Sequence, residues 1–118
     1  MKEVEAAWFG RTGVYPMHGT IVVKESVLRD HPFVARALLD AFGKAKAGWL
    51  ASLRDGTAKA ATDEKYRELI PLVGADPLPF GLAANMPAIT ALESYAFKQQ
   101  LIPRRMSIGE LFVDPEKL

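Results

Sequence analysis

The chain has 118 residues, of which 49% are hydrophobic and 25% are charged, and its formal net charge is +1. This length and composition fit one globular domain with enough apolar side chains for a core. The near-neutral charge argues against a nucleic-acid-binding protein, because no basic stripe is present to neutralise phosphates. The lack of cysteine excludes disulfides, thiolate metal sites and a cysteine nucleophile.

The N-terminal sequence and the hydropathy pattern give an expectation about location. No apolar run is long enough to cross a bilayer, so we expect no membrane insertion. Residues 1–5 lack the charged-then-apolar pattern of a secretion signal. We therefore expect a cytoplasmic protein as the sequence stands, or a periplasmic one if a signal peptide was lost upstream.

The first two predicted elements are a helix and a strand. Residues 2–11 form the helix, in which Val4, Ala7 and Trp8 share one face. The segment 12–24 follows, and its β-branched residues 20–23 predict one main strand over about 20–24. One strand cannot make a sheet, so we expect it to need partner strands that the rest of the sequence does not obviously supply.

The middle of the chain is predicted to be helical. A short helix covers 25–30, and His31-Pro32 begins the longest helix, since proline is favoured at the first helical position. Gly56 is typical of the residue that follows a helix C-terminus. The apolar stripe of this helix comprises Val34, Leu38, Ala41, Ala45, Trp49 and Leu53.

Capping residues predict three more helices in the second half. Thr62 is expected to cap a helix that Pro71 stops. Asn85 is expected to cap the next one, with Pro87 in its first turn and Pro103 at its end. Ser107-Ile108-Gly109-Glu110 has the spacing of a capping box for a last short helix. The predicted class is α/β, predominantly helical, with one main strand and about four to six helices.

Candidate catalytic groups are few. The chain lacks the common nucleotide-binding, metalloprotease and serine-hydrolase motifs, and its two histidines have no matching carboxylate spacing. We therefore expect neither a metal nor a cofactor. His18 lies at the start of the predicted strand, where a histidine can transfer protons or simply form a structural hydrogen bond. Arg11 could hold a carboxylate with its planar guanidinium, or be a solvated cation at a helix end.

Three stretches together resemble the 4,5-dihydroxyphthalate decarboxylase-like proteins, which are relatives of the substrate-binding proteins of ABC transporters. The first is the segment 12–24, and the second is the His-Pro helix of 31–42. The third lies in the C-terminal part, at 80–93, 100–104 and 110–112. Their order and spacing agree across nearly the whole chain.

The resemblance implies a periplasmic-binding-protein-like type II fold, of which these residues would be the C-terminal part. The whole of 1–118 would then be a single partial domain. Residues 1–19 would be the end of the second lobe and the hinge, and 20–118 the C-terminal part of the first lobe. The partner strands would belong to the front portion of the intact protein. A homo-oligomer, or a partner chain that covers the strand edge, would supply them otherwise.

The resemblance also implies a function, the decarboxylation of an aromatic acid by the intact protein. Arg11 and His18 would be the catalytic residues, as carboxylate holder and proton donor. The ligand-binding residues would be Tyr15, Met17, Gly19 and Thr20, although members of the family often carry a histidine where this chain has Gly19. The fragment is expected to be inactive alone. The alternative is part of a transporter's substrate-binding protein, which binds a small solute without chemistry.

Overall fold

The computed structural model describes residues 2–117, and within them the chain forms six helices and no strand. The predicted predominance of helix is therefore confirmed. The helices are α1 (Lys2–Thr12), α2 (Glu25–Asp30), α3 (Phe33–Asp55), α4 (Ala61–Val73), α5 (Leu82–Lys98) and α6 (Ile108–Leu111).

The predicted strand at 20–24 does not form in this structure. Residues 13–24 have no regular secondary structure. The N–H groups of residues 17–23 donate no hydrogen bond to any residue within 2–117. A strand needs a neighbour to complete its ladder of hydrogen bonds, and the described residues provide none. The β-branched composition of residues 20–23 remains without the sheet that it predicts.

Glycines in the left-handed region end two of the helices. Gly13 follows α1 with φ 65°, and its N–H donates to the carbonyl of Phe9 at 2.8 Å. Gly56 follows α3 with φ 78°, as the sequence predicts. A side chain at such a position costs conformational energy, which is why glycine is common after helices.

The N-terminus of α4 is held by an aspartate. Asp63 accepts hydrogen bonds from the N–H of Ala60 at 3.0 Å and from Nε1 of Trp49 at 3.0 Å. The predicted cap, Thr62, is instead an exposed residue of the first turn. The Asp63 carboxylate therefore serves both as a helix cap and as the link between α3 and α4. From α4, Arg67 adds a bond to the carbonyl of Leu53 at 3.1 Å.

The helix-end roles predicted for Pro71, Asn85 and Pro87 are wrong. Pro71 lies inside α4, which continues to Val73, and the N–H of Gly74 donates to the carbonyl of Ile70 at 3.0 Å. The single N–H that proline lacks therefore does not end the helix. Asn85 and Pro87 lie inside α5, which begins three residues before Asn85 at Leu82. Asn85 donates back to the carbonyls of Pro79 and Gly81, both at 2.9 Å.

The end of α5 also differs from the prediction. The helix ends at Lys98, before Pro103, and Gln100 adopts a positive φ of 60°. The N–H of Leu101 donates to the carbonyl of Ala96 at 2.9 Å. A turn closed by backbone hydrogen bonds therefore ends the helix, and the proline follows in irregular chain.

The hydrophobic core is small for the length of the chain. The buried apolar side chains within the described residues are Leu50, Leu53, Pro77, Ala88 and Ile89. The radius of gyration is 16.4 Å, whereas a compact domain of this length has about 13.5 Å. The accessible surface is 8561 Å², against about 6,300 Å² for a compact monomer of this mass. Much apolar surface is therefore left in contact with solvent.

Leu53 is 1% exposed and is the most completely buried leucine of this core. We expect Leu53→Ala to lower the free energy of unfolding by about 2–5 kcal/mol, because it removes buried methyl groups and leaves a cavity. Urea unfolding followed by tryptophan fluorescence measures this change. The matched control is Leu101→Ala, at a side chain that is 73% exposed, where we expect a change within about 0.5 kcal/mol. Equal losses in both variants would contradict this description of the core.

Candidate functional site

A groove of about 710 Å³ lies beside the segment 15–23. The groove is also lined by residues of α3, by residues 78–82, by Asn85 and Ile89 of α5, and by residues 111–113 and Pro115. This volume lies within the range of small-molecule sites in proteins. Five of the six predicted site residues line the groove, namely Tyr15, Met17, His18, Gly19 and Thr20.

Tyr15 fixes the segment to the rest of the chain. Its hydroxyl donates to the carbonyl of Pro77 at 2.9 Å. Its ring meets Phe9 edge to face, with a centroid distance of 6.2 Å. Partial burial, with a smaller contribution from Tyr66, raises the pKa of the Tyr15 phenol. The hydroxyl therefore remains protonated and able to donate well above neutral pH.

His18 lies between two tyrosine rings. Its centroid is 6.4 Å from Tyr15 and 6.4 Å from Tyr66. Tyr66 in turn meets Trp49 edge to face at 5.1 Å, and Asp63 holds Trp49 as described above. The imidazole itself is exposed and forms no hydrogen bond within residues 2–117. Both ring nitrogens are therefore free to meet a ligand.

Tyr66 is a neighbour of His18 that the sequence analysis missed, although it does not line the groove. It belongs to α4, far from His18 in the sequence, and no local motif connects them. Only the packing of α4 against α3 brings Tyr66 to the imidazole.

Gly19 has no heavy atom within 4 Å of the position that a Cβ would occupy. No close approach within the described chain therefore requires glycine there.

Arg11 does not line the groove. It lies in the last turn of α1, and its side chain is exposed. The structure therefore brings His18 and the proposed ligand-binding residues together but leaves Arg11 apart from them. Its role in holding a carboxylate stays a prediction.

The groove lining contains no Asp, Glu, Lys or Arg among the described residues. Lys46 contacts one lining residue, since its Nζ lies 4.2 Å from the ring centroid of Phe80. This ammonium group is already paired, with Asp76 at 2.6 Å and with the carbonyl of Leu78 at 3.0 Å. The described groove lining is thus mostly apolar, contains no carboxylate, ammonium or guanidinium group, and offers no free cation to a carboxylate.

An ion pair between a buried carboxylate and an exposed arginine lies next to the C-terminal part of the groove. The side chain of Glu93 is 4% exposed, and both of its oxygens accept from Nε of Arg105 at 2.8 and 2.9 Å. One oxygen also accepts from the N–H of Met106 at 2.8 Å. The Arg105 hydrogen bond first, and then the Met106 N–H, lower the pKa of Glu93. This pair holds the chain against α5 just before α6 and residues 111–115.

In the predicted capping box at the start of α6, the contact between the Glu110 side chain and Ser107 is confirmed. The N–H and hydroxyl of Ser107 both donate to Glu110, at 2.8 and 2.9 Å. Arg104 donates to the other oxygen of this carboxylate at 2.6 Å. Arg104 first, with Ser107, lowers the pKa of Glu110 to about 2.

The part of the chain that the structure describes contains no group of three or more His, Asp or Glu side chains placed to hold a metal ion. The same residues include no helix long and apolar enough to span a membrane.

No protein-family profile matches the chain. A comparison with curated proteins finds a relative, the 4,5-dihydroxyphthalate decarboxylase of Comamonas testosteroni. The two sequences are 28% identical over 115 residues, which cover 94% of this chain. The chain is similar to a decarboxylase, as the sequence resemblance predicts. It spans 35% of the length of that relative, in its C-terminal part.

The Glu93 pair makes the stability of the fold depend on pH. Because its pKa is lowered from the ordinary 4.5, the stabilisation is complete above that pH and is lost as the pH falls through the lowered folded-state value. We expect Glu93→Gln to reduce stability at neutral pH and to flatten the loss of stability in acid. Urea midpoints from about pH 7 to about pH 3 measure both effects. The control is Glu116→Gln, at an exposed glutamate of the tail. An acid profile of Glu93→Gln that parallels the unmodified chain would contradict the assignment.

Proposed function

We propose that this chain forms the C-terminal part of a decarboxylase that acts on a dihydroxylated aromatic acid. The observation that carries the proposal is the similarity to 4,5-dihydroxyphthalate decarboxylase across 94% of the chain. The exposed imidazole of His18 at the groove is consistent with it. Because the chain spans 35% of the relative's length, we assign the activity to the complete protein and expect none from the chain alone.

The reaction needs a proton donor and a group that holds carboxylates. Decarboxylation breaks the bond between the ring and one carboxylate, releases CO₂ and leaves the electron pair on the ring carbon. A proton must then reach that carbon. We propose His18 as the proton donor, because it is the only ionisable side chain other than Tyr15 among the described groove residues. We propose Arg11 as the group that holds the second carboxylate.

A hinge would allow Arg11 to reach a ligand that His18 contacts. We propose a type II periplasmic-binding-protein-like fold in which residues 1–19 carry the hinge and the end of one lobe, and 20–118 belong to the other. The irregular backbone after α1 and the positive φ of Gly13 support a bend at that place. Closure of the lobes would then bring α1 and the groove together.

In the same fold, residues 20–24 would become a strand. The supporting observation is the β-branched composition of residues 20–23 together with their backbone groups, which no described residue pairs. A neighbouring strand would satisfy those groups.

A solute-binding protein without chemistry is the second candidate. The neutral, apolar lining of the groove favours it, because capture of a small apolar solute needs no charged catalytic pair. The two candidates differ in a single observable, the release of CO₂ from a bound aromatic acid.

The isolated chain should not bind phthalate-like acids. The groove supplies no free cation, and one charge-assisted contact from Arg11 would contribute only about 1.5–3 kcal/mol. Association entropy costs at least about 4 kcal/mol. We therefore expect no heat of binding when 4,5-dihydroxyphthalate is titrated into the monomeric chain in a calorimeter. Micromolar binding to the monomer would show that the chain contains a complete ligand site.

A chimera tests the catalytic assignment. In it, this chain replaces the matching C-terminal part of the Comamonas testosteroni decarboxylase. We expect the chimera to convert 4,5-dihydroxyphthalate to 3,4-dihydroxybenzoate with release of CO₂. His18→Ala should lower kcat at least about 100-fold through loss of the proton donor. Arg11→Ala should lower kcat/KM about 10- to 100-fold through loss of a charge-assisted contact.

The matched controls for the chimera are His31→Ala and Arg29→Ala, at exposed residues outside the groove. Both should retain nearly full activity. A folded chimera in which His18→Ala has no effect would remove the proposed proton donor. A folded chimera that binds the acid but releases no CO₂ would favour the solute-binding candidate.

A further inference from the structure

The backbone of residues 17–23 is open along the whole segment. None of its N–H or C=O groups forms a hydrogen bond within residues 2–117. The segment contains no proline and no Asp, Glu, Lys or Arg, which first appear at its borders as Pro16 and Lys24. Natural proteins block exposed edges with such residues, and this segment lacks them.

The side chains of the segment are also uncovered. Ile21 is 61% exposed and Val22 is 88% exposed. Further large apolar side chains that line the groove are partly exposed, namely Phe42, Phe80, Leu111 and Val113. An apolar surface and an open backbone edge therefore lie side by side, which is the combination that binds an added strand.

The amount of uncovered surface matches that of a stable dimer. The accessible surface of 8561 Å² exceeds that of a compact monomer of this mass by about 2,200 Å². A standard interface buries about 800 Å² on each partner, and obligate dimers bury more. The net charge of +1 provides little repulsion between two copies.

We propose that residues 17–23 are a docking strand for a second copy of this chain. The segments of the two copies pair antiparallel, so that each supplies the hydrogen-bonding groups that the other lacks, and the contact is symmetric. The paired strands cover the grooves with apolar side chains. The proposal concerns the 118-residue chain by itself; in the complete protein of the decarboxylase proposal, a strand from elsewhere in that protein would pair with the same residues. Sedimentation tests the dimer without reference to activity, so the failure of one proposal is distinct from the failure of the other.

The experiment is sedimentation velocity of the full 118-residue chain over a range of concentrations, with two lysine variants. We expect a dimer for the unmodified chain. Val22→Lys should raise the dimer dissociation constant at least about tenfold, because the ammonium group must lose water on an apolar interface. Val4→Lys is the matched control. It makes the same change at a valine of α1 that is 71% exposed, and its dissociation constant should equal that of the unmodified chain.

Hydrogen–deuterium exchange of the unmodified chain gives a second measurement that needs no variant. The amides of residues 17–23 should exchange slowly at concentrations where the dimer forms and quickly where it dissociates. A folded monomer at all concentrations would overturn the proposal. So would a dimer whose 17–23 amides exchange quickly, or one that Val22→Lys and Val4→Lys affect equally.

Discussion

The need of a polypeptide backbone for hydrogen-bond partners governs this structure. In the helices the chain satisfies its own backbone, but residues 17–23 form no backbone hydrogen bond within 2–117. Ile21 and Val22 in this segment also expose most of their apolar surface. Under the docking proposal, a strand from a second copy supplies the missing ladder.

Structural contacts of the neighbouring rings set the surroundings of His18, the candidate proton donor. Tyr15 is fixed by its bond to the carbonyl of Pro77. On the other side, Asp63 holds Trp49, and Trp49 meets Tyr66. His18 occupies the space between these two anchored rings. The hydrogen bond that caps α4 therefore also shapes the surroundings of the imidazole, although Asp63 is not part of the groove.

Sequence patterns whose contacts lie within a few residues predicted helix ends correctly. Gly56 and the Ser107–Glu110 spacing gave correct helix ends, because each acts within a few residues. The prediction that Pro71 stops a helix was wrong because α4 tolerates a missing N–H. The prediction that Asn85 caps a helix was wrong because its side chain donates to a carbonyl before α5. The strand depends on pairing between distant segments, which composition indicates but cannot supply. For the same reason no local pattern pointed to Tyr66.

The described groove lining contains no cation that could pair with a carboxylated ligand. A phthalate carries two carboxylates, and moving them onto an apolar, neutral surface would cost their hydration without a paired cation in return. The Lys46 ammonium is already paired with Asp76, so it cannot repay that cost. Under the proposed function, a phthalate would therefore need a cation from outside the groove lining to pair with its carboxylates. Arg11 on α1 is the proposed group, and the proposed hinge would bring it towards the exposed imidazole of His18.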